Sequence, residues 1–593
     1  MLNYFQLSNK TILTKELHLR KRNFINAFRD KNKFWKEVKY FNGRPEIEIN
    51  CIYGETDKEK IVDIFEGKYK DIFNCDNSKL VPDCYIFKMN ELMSREILDN
   101  CKIDSLCVEQ AFSKLNKGNG WDFVHSNHLK FGGNMLNFFL SRLFSCFISH
   151  SYLPVSLLHG KIKPIIKKRN GNRTDPDNYR PVMNSSNVLK GFEYCILSML
   201  EKCIDIDSHQ FGFRKNTGCV SAITVLKESV LRYNSEGSNV HCAMVDLSKA
   251  FDKINHKILI TKLIDANVPT KLVLILKYMM ENVFVNVLCG SIQGKKWQVN
   301  NGTRQGGILS PLLFNFYINE MVKTLSRSDI GCKIGCYATN IICYADDIIL
   351  CAPSVSGLQF LIDKACSMLH DLCLPLNDKS KYIIFEHNKH SKIQCSIDVA
   401  GQVIENVTNC TYLGTNLSDD SSLNEDISRC ATSFLNMFNA IFYKFSFLNV
   451  QILSFLVRSY CLSLYGAELW YDYSSIRLFN KFAVAYHKAV KRVAGMAPWH
   501  SNHKACDITG LPILRHIIHK KILSLYFSIV HSRSSCLLPL KNYFKYSSFL
   551  LKSVSSIFRD FYQVENIKEN NECALKSRID YVQAHEERSN YGV

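Results

Sequence analysis

An acidic pair interrupts an apolar run near the middle of the chain. Asp346 and Asp347 lie within Ile341–Cys351, and this pattern predicts a buried strand, a tight turn and a second strand. Two carboxylates about 4 Å apart repel each other by roughly 4 kcal/mol at an effective dielectric constant of 20, whereas a divalent cation reverses the sign. Asp246 follows a second apolar stretch, Val240–Val245, and would complete a site for two metal ions. Such a site suits phosphoryl transfer.

The sequence around these acids favours a metal site over a solvated turn, which is the more common setting of an isolated pair of aspartates. Asp246 lies in the segment Met244–Asp252, with the sequence MVDLSKAFD. Between this segment and the acidic pair lies Gly302–Pro311, with the sequence GTRQGGILSP. Three motifs in this order are far more specific than any one of them.

These motifs resemble those of the reverse transcriptases of non-LTR (LINE-type) retrotransposons, most closely the jockey-like and chicken-repeat-like group. The resemblance implies an α+β right-hand polymerase with fingers, a palm built on a ferredoxin-like antiparallel sheet, and a helical thumb. It implies an RNA-directed DNA polymerase and extends over roughly residues 30 to 530. Further matching segments are Lys117–Asp122, Asn178–Val182, Gln210–Arg214, Tyr412–Gly414 and Tyr465–Trp470.

The resemblance also implies where metal ions bind. Asp246 and Asp346 are expected to be the principal ligands of two Mg²⁺ ions, and Asp347 a supporting acid beside them. The backbone carbonyl of Val245 or Leu247 is a further candidate ligand, and the sequence does not choose between them. One ion would lower the pKa of a primer 3′-hydroxyl, while the other would neutralise the triphosphate and the leaving pyrophosphate.

Five residues are expected, by resemblance, to contact the incoming nucleotide. Phe251 resembles a steric gate that excludes a ribose 2′-hydroxyl, and its alternative is an ordinary core phenylalanine. Lys167 ends a predicted strand and Arg180 follows a loop, and both are expected to reach the phosphates, although a charge run at a hairpin tip is more often merely solvated. Gln305 is expected against the template and the incoming base, where Gly306 allows the backbone to approach closely.

Three positions near these motifs depart from the family pattern or have a simpler interpretation. Lys379 is the candidate for protonating pyrophosphate, although its spacing from Asn377 is one residue shorter than the family pattern. Asp252 is predicted to cap the helix that follows through Asn255. Glu320 stands where an aspartate is usual, and we expect this change to be harmless.

The composition agrees with a nucleic-acid-binding protein. The 593 residues are 46% hydrophobic, which is ample for a large core and several subdomains. Lys and Arg number 74 against 55 Asp and Glu, and the net charge of +19 favours a polyanionic partner. The expected partners are an RNA template, a DNA primer or nicked target DNA, and deoxynucleoside triphosphates, whereas the oligomeric state stays open. A ribosome-binding or membrane-surface protein would have a similar charge.

The sequence argues against a membrane span. The most apolar long stretch, Phe445–Trp470, carries Gln451, Arg458 and Glu468, which predicts a core helix. No signal peptide is visible at the N-terminus. We therefore expect an intracellular protein, located in the nucleus and the cytoplasm.

The 24 cysteines include no C-x-x-C pair, so we expect them to be reduced and buried. His500, His503 and Cys506 have side chains that suit zinc, but a fourth ligand is missing. The simpler interpretation of this segment is a surface connection between helices, bounded by glycine and proline.

The pattern along the chain predicts three regions. Residues 1–103 are predicted to be an N-terminal extension or linker, with a basic helical pattern from Ile12 to Phe41 and a strand-like Ile47–Ile52. Residues 104–417 alternate between helical and strand patterns and correspond to the fingers and palm. Residues 418–593 are mostly helical and correspond to the thumb and a C-terminal region.

Two alternative functions stay open. A non-catalytic nucleic-acid-binding relic is disfavoured because Asp246, Asp346 and Asp347 are all intact. A group II intron maturase-like reverse transcriptase would also bind one intron RNA, and the Tyr465–Trp470 segment favours the retrotransposon interpretation over it. The endonuclease that precedes the fingers in full-length relatives is not expected, because about 100 residues are too few for it. A nick in target DNA would then be made elsewhere.

Overall fold

The chain folds as a mixed α+β protein, as predicted. The computed structural model describes residues 35, 38, 49–74, 84–94, 101–167, 171–377, 379–388, 395–473, 476–532, 535–538, 540–541 and 548–562. The helices in these ranges are α1 Lys58–Phe73, α2 Cys84–Ser94, α3 Ser105–Ser113, α4 Ser126–Lys130, α5 Gly133–His150, α6 Val155–Leu158, α7 Asn187–Cys203, α8 Cys219–Ser235, α9 His256–Asp265, α10 Thr270–Glu281, α11 Ser310–Ser326, α12 Val355–Asp371, α13 Asn424–Phe445, α14 Val450–Cys461, α15 Arg477–Val493, α16 Asn502–Thr509, α17 Leu514–Val530 and α18 Phe549–Tyr562. The strands are β1 His159–Ile166, β2 Tyr179–Asn184, β3 Val240–Asp246, β4 Phe284–Cys289, β5 Ile292–Gln293, β6 Trp297–Gln298, β7 Lys333–Ile334, β8 Tyr337–Ala338, β9 Ile341–Tyr344, β10 Asp347–Ala352, β11 Lys381–Phe385, β12 Ser396–Val399, β13 Gln402–Glu405, β14 Asn409–Tyr412 and β15 Thr415–Ser418.

A four-stranded antiparallel sheet with the order β11-β3-β10-β9 carries the predicted acidic motifs. Successive side chains in a strand point to opposite faces. Ile349 and Ile383 therefore pack on one face, in a core shared with α8 and the helices after residue 424. Ile348 and Leu350 pack on the other face against α11 and α12. Both faces are covered, which explains why these strands are apolar along most of their length.

A second sheet has the order β2-β1-β4-β5, and β6 also pairs with β4. The amphipathic helix α1 covers it. Phe65 of α1 contacts Tyr179 of β2 with the ring centroids 5.3 Å apart, and both belong to a core with Ile162 and Val285. The described part of the predicted N-terminal extension therefore shares a core with the residues that follow position 104.

Two expectations for the N-terminal region have different outcomes. The basic helical pattern from Ile12 to Phe41 lies outside the described residues, apart from Trp35 and Val38, which are helical. The predicted strand is not present over residues 49–52, where Ile52 forms only a single β-bridge with Glu55. Residues 47 and 48 lie outside the described ranges.

The described part of residues 418–562 is mostly helical, as predicted. The predicted helix within Phe434–Phe445 is part of the longer α13, and α14 follows from Val450. The interpretation of Phe445–Trp470 as one core helix is wrong in its extent, because Asn449 caps a new helix by accepting a hydrogen bond from the Ile452 N–H at 2.9 Å. None of the helices in the described ranges is long and apolar enough to cross a membrane.

Candidate active site

The strands that carry the predicted acids are neighbours in the four-stranded sheet. Strands β9 and β10 form a hairpin whose turn contains Ala345 and Asp346. Strand β3 ends at Asp246, which is the cross-strand partner of Asp347 at the start of β10. Cross-strand partners share one face of a sheet, with Cβ atoms about 4.5–5.5 Å apart. The structure therefore brings Asp246 and Asp347 side by side and places Asp346 in the adjoining turn.

The three acids oppose one another electrostatically. Loss of surrounding water raises the pKa of Asp347 to about 6, and the negative charges of Asp346 and Asp246 add to this shift. Burial also raises the pKa of Asp346, with a further contribution from Asp246. The positive charge of Arg180 acts in the opposite direction on both carboxyl groups. A cation at this point would offset the cost of ionising the acids.

The donor set fits a hard divalent cation. Mg²⁺ is usually held in enzymes by one or two carboxylates together with water and substrate phosphates. Within the ranges that the structure describes, no three His, Cys, Asp or Glu side chains converge on one metal position. The carboxylates of Asp246, Asp346 and Asp347 are oxygen donors of the kind that such a cation takes.

Asn377 holds Asp246 from the segment that precedes the neighbouring strand β11. Its side-chain Nδ2 donates to Oδ2 of Asp246 at 2.7 Å, and its backbone N–H donates to the Asp246 carbonyl at 2.9 Å. The hydroxyl of Ser380 accepts a hydrogen bond from the Asp246 N–H at 3.3 Å. The segment before β11 therefore holds the Asp246 backbone with two hydrogen bonds and its carboxylate with one. From the sequence, Asn377 is only a spacing marker for Lys379, and no local pattern indicates this role.

A basic cluster lies beside the acids. Lys167 donates from Nζ to the Asp177 carbonyl at 2.8 Å, and Lys68 of α1 forms an ion pair with the Asp177 carboxylate at 2.6 Å. Burial lowers the pKa of Lys167, and the charges of Lys68 and Arg180 contribute to this shift. Arg180 is exposed on β2, and its charge acts on the acids. Lys68 comes from a region for which the sequence predicts no role.

Phe251 lies in a short 3₁₀ helix, Ala250–Asp252, directly after the Asp246 strand. Its ring stacks on Phe314 of α11 with a centroid separation of 4.5 Å, and Phe213 approaches edge-on at 6.2 Å. The ring is only half-buried. Phe251 is therefore fixed by aromatic contacts while part of it stays accessible.

Gln305 contacts Asp252, which corrects the predicted role of that acid. The Gln305 Nε2 donates to both carboxylate oxygens of Asp252, at 2.6 and 2.8 Å. Asn255, and not Asp252, caps α9 by accepting from the N–H groups of Lys257 and Ile258. Burial raises the pKa of Asp252 to about 7, and the hydrogen bond from Gln305 opposes this shift. Asp252 therefore orients the Gln305 amide.

The loop around Gly306 rests on the edge of β2. The Met183 N–H donates to the Gln305 carbonyl at 2.8 Å. Gly306 has a φ of +101°, and a Cβ at this position would lie 3.0 Å from the Met183 carbonyl oxygen. Arg304 anchors the loop through an ion pair with the buried Glu193. The close backbone approach expected for Gly306 is therefore toward β2.

The remaining predicted residues are Lys379, Glu320 and the candidate zinc ligands His500, His503 and Cys506. Lys379 is exposed in the turn before β11. Glu320 of α11 forms an ion pair with Lys262 of α9 at 2.7 Å. His500 and His503 are exposed whereas Cys506 is buried in α16, and in the described ranges these side chains form no group arranged for a metal. Every cysteine in the same ranges is free of disulfides.

Gln210 is the second residue whose contacts the sequence does not predict. It is buried, and its side-chain oxygen accepts from the Ala345 N–H at 2.9 Å, next to Asp346. The only signal in the sequence is its place in the Gln210–Arg214 segment, which matches the family but suggests no contact with the acidic turn.

Comparison with known proteins agrees with this geometry. Residues 166–417 match the family "Reverse transcriptase (RNA-dependent DNA polymerase)", and this range includes Asp246, Asp346 and Asp347. The chain is 30% identical over 203 residues to the retrovirus-related Pol polyprotein from the type-2 retrotransposable element R2DM of Drosophila melanogaster. This match covers 34% of the chain and 19% of the relative.

Two further relatives are polymerases or polyproteins of mobile elements. The chain is 24% identical over 403 residues to the RNA-directed DNA polymerase from mobile element jockey of Drosophila melanogaster, covering 65% of the chain and 43% of the relative. It is 24% identical over 268 residues to the retrovirus-related Pol polyprotein from the type-1 retrotransposable element R2 of Nasonia vitripennis, covering 43% and 26%. The chain thus spans less than half of each of these relatives. Residues 166–417 are a reverse transcriptase domain of the kind found in the polymerases of non-LTR retrotransposons.

Proposed function

We propose that this protein is an RNA-directed DNA polymerase of a non-LTR retrotransposon, which adds deoxynucleotides to a primer 3′-hydroxyl. The observation that carries the proposal is the register of the four-stranded sheet, which sets Asp246 opposite Asp347 and beside Asp346 within a reverse transcriptase domain. The substrates are an RNA template, a DNA primer or nicked target DNA, and deoxynucleoside triphosphates. The nucleus and the cytoplasm are the compartments that we assign to it.

The acids supply the site for magnesium. Asp246 and Asp346 would hold two Mg²⁺ ions, and Asp347 adds negative charge beside them. When bound, the ions lower the pKa of the primer hydroxyl and neutralise the triphosphate and pyrophosphate. Asn377 keeps the Asp246 carboxylate in place through its 2.7 Å hydrogen bond, so the ligand needs little reorganisation when substrate arrives.

The basic cluster is suited to the triphosphate. Arg180 is exposed beside the acids and presents a guanidinium fork that can make two parallel bonds to phosphate oxygens. Lys167 and Lys68 both contact Asp177 with their ammonium groups. Lys379, exposed beyond Asn377, is the proposed donor of a proton to pyrophosphate.

The sugar and base of the nucleotide are assigned to Phe251 and Gln305. Phe251 is fixed by Phe314 and acts as a steric gate against a ribose 2′-hydroxyl. Asp252 accepts both hydrogen bonds from the side-chain nitrogen Nε2 of Gln305. The side-chain oxygen Oε1 of Gln305 is then left to face the nucleotide and template. Gly306 allows this loop to lie close to β2.

The polymerase regions follow from the same assignment. We assign the fingers to the sheet β2-β1-β4-β5 and the palm to β11-β3-β10-β9, both within residues 104–417, and the thumb to the helices after residue 418. Residues 1–103 are assigned as an N-terminal extension whose helix α1 supports the fingers. The apolar contacts between α1 and the β2-β1-β4-β5 sheet support this arrangement.

Primer extension tests the proposal. The purified chain is given an RNA template, a DNA primer, deoxynucleotides and Mg²⁺, and is compared with Asp346→Asn. A matched control is Asp329→Asn, because Asp329 is exposed and pairs only locally with Lys333 at 3.0 Å. We expect extension by the wild type and by Asp329→Asn, and a loss of at least about 100-fold for Asp346→Asn, as for other groups that stabilise transition-state charge. Template binding without extension by the wild type would support the relic instead.

A further inference from the structure

We infer that Gln210 is a positioning residue that holds the turn carrying Asp346 in the shape that catalysis needs. The inference rests on the proposed function for its catalytic consequence. Gln210 lies in the loop between α7 and α8, far in sequence from the acidic hairpin. It does not contact the acids through its side chain and acts through the backbone of the turn.

The side-chain amide of Gln210 contacts both the N–H and the carbonyl of Ala345, the residue before Asp346. Its Oε1 accepts hydrogen bonds from the N–H groups of Ala345 and Gly212, each at 2.9 Å, and its Nε2 lies 3.5 Å from the Ala345 carbonyl oxygen. The side chain is 1% exposed. Water therefore does not replace these bonds, and a buried N–H group without its acceptor is costly.

The turn that Gln210 holds has an unfavourable backbone conformation. Ala345 has a φ of +57°, in the left-handed region that residues with a Cβ rarely adopt. Such a conformation persists only where surrounding contacts determine it. Gln210 supplies a contact to the N–H group of this residue, and Asp346 is the next residue along the chain.

The backbone around Gln210 also joins the hairpin. Phe211 donates from its N–H to the Cys343 carbonyl at 2.7 Å, and Cys343 donates to the His209 carbonyl at 2.9 Å. Gly212 lies so close to the turn that a Cβ there would approach the Ala345 nitrogen to 2.4 Å. These bonds pair a short segment alongside β9, through a parallel bridge between Gln210 and Cys343.

The same segment contacts the C-terminal region. Cys536 donates from its thiol to the Gln210 carbonyl at 3.5 Å, and Arg214 donates to the Ser535 hydroxyl at 3.2 Å. The turn that carries Asp346 is thus tied, through Gln210, to residues beyond the matched reverse transcriptase domain.

The test compares Gln210→Met with Gln210→Glu and with a matched control. Methionine keeps the length of the side chain but has no strong acceptor, whereas glutamate retains an oxygen for both N–H groups. Gln359→Met is the control, because the Gln359 amide holds a different hairpin by bonding both the N–H and the carbonyl of Asp398, at 3.0 and 2.8 Å. The control therefore reports the loss of a clamping amide away from the acids.

Two readouts are measured on the full chain. We expect Gln210→Met to speed amide hydrogen exchange across residues 343–347 by about 10-fold or more, as for a lost buried hydrogen bond. We expect it also to slow single-turnover incorporation by at least about 10-fold and to raise the Mg²⁺ concentration for half-maximal rate, with the Kd for primer and template unchanged. Gln210→Glu is expected to recover part of the rate, and Gln359→Met to behave as the wild type.

Several outcomes would overturn the inference. One is wild-type exchange and wild-type Mg²⁺ dependence in Gln210→Met. Another is a rate loss in Gln210→Met that is accompanied by a lower Tm and weaker template binding, since that pattern indicates general unfolding. If the wild type itself extends no primer, the proposed function fails, while the exchange readout still decides whether Gln210 holds the turn.

Discussion

Replacing Asn377 with alanine is expected to slow nucleotide addition while leaving primer and template binding intact. The change removes the 2.7 Å hydrogen bond from the Asn377 side chain to the Asp246 carboxylate. The bond from the Asn377 backbone N–H to the Asp246 carbonyl, at 2.9 Å, does not depend on the side chain and is retained. Hydrogen bonds to charged groups contribute about 1.5–3 kcal/mol. If this stabilisation is realised fully in the transition state, the rate falls by about 10- to 150-fold.

The assay is single-turnover incorporation of one deoxynucleotide into a primer already bound with its template. Asn239→Ala is the matched control, because Asn239 precedes β3 at the end opposite Asp246 and accepts hydrogen bonds from His387 at 2.8 and 2.9 Å. The control is expected to lose a similar bond without slowing incorporation. A wild-type rate for Asn377→Ala, or equal losses in both variants, would refute the idea that Asn377 positions the metal ligand.

Three further predictions concern the nucleotide pocket and its supports. Phe251→Val is expected to raise ribonucleotide incorporation relative to deoxynucleotide incorporation, because the gate is removed; no rise in a competition assay would leave Phe251 as an ordinary core residue. Raising the pH from 5 to 8 is expected to lower the Tm of metal-free wild type more than that of Asp252→Asn. Burial raises the folded-state pKa of Asp252 to about 7, so its stabilising contribution is present at low pH and is lost as the pH rises through 7; parallel Tm curves would contradict this. Glu193→Gln leaves the Arg304 charge buried without its partner, which is expected to cost about 3–5 kcal/mol in chemical unfolding, and a change below about 1 kcal/mol would show that the pair is dispensable.

The sequence predicts the acidic hairpin well because its signals are local. Nearly continuous burial in β9 and β10 requires a run of apolar residues, and a pair of acids between them marks the turn. The family motifs add Asp246. Its approach to Asp346 and Asp347 depends on the order of the strands in the sheet, which the spacing of the motifs along the chain does not reveal. The structure supplies that step through the pairing of β3 with β10.

Local rules fail where a side chain has a distant partner. Asp252 satisfies the rule for a helix cap, yet Asn255 takes that place and Asp252 reaches Gln305 across the fold. In the same way, no pattern near Gln210 indicates that its amide bonds to Ala345, and no pattern in α1 indicates that Lys68 reaches Asp177. These contacts arise from packing between elements, which a single sequence does not encode in its periodicity.

We assign the end of β3 and the β9–β10 hairpin to one metal site for polymerisation. The most direct test of this assignment replaces Mg²⁺ with Fe²⁺, generates hydroxyl radicals at the bound ion, and maps backbone cleavage by mass spectrometry in the presence of primer and template. We predict cuts near both residue 246 and residue 346, lost in Asp246→Asn and Asp346→Asn. RNA-templated extension by a wild type whose cuts map elsewhere, or cuts that persist in both variants, would contradict the account.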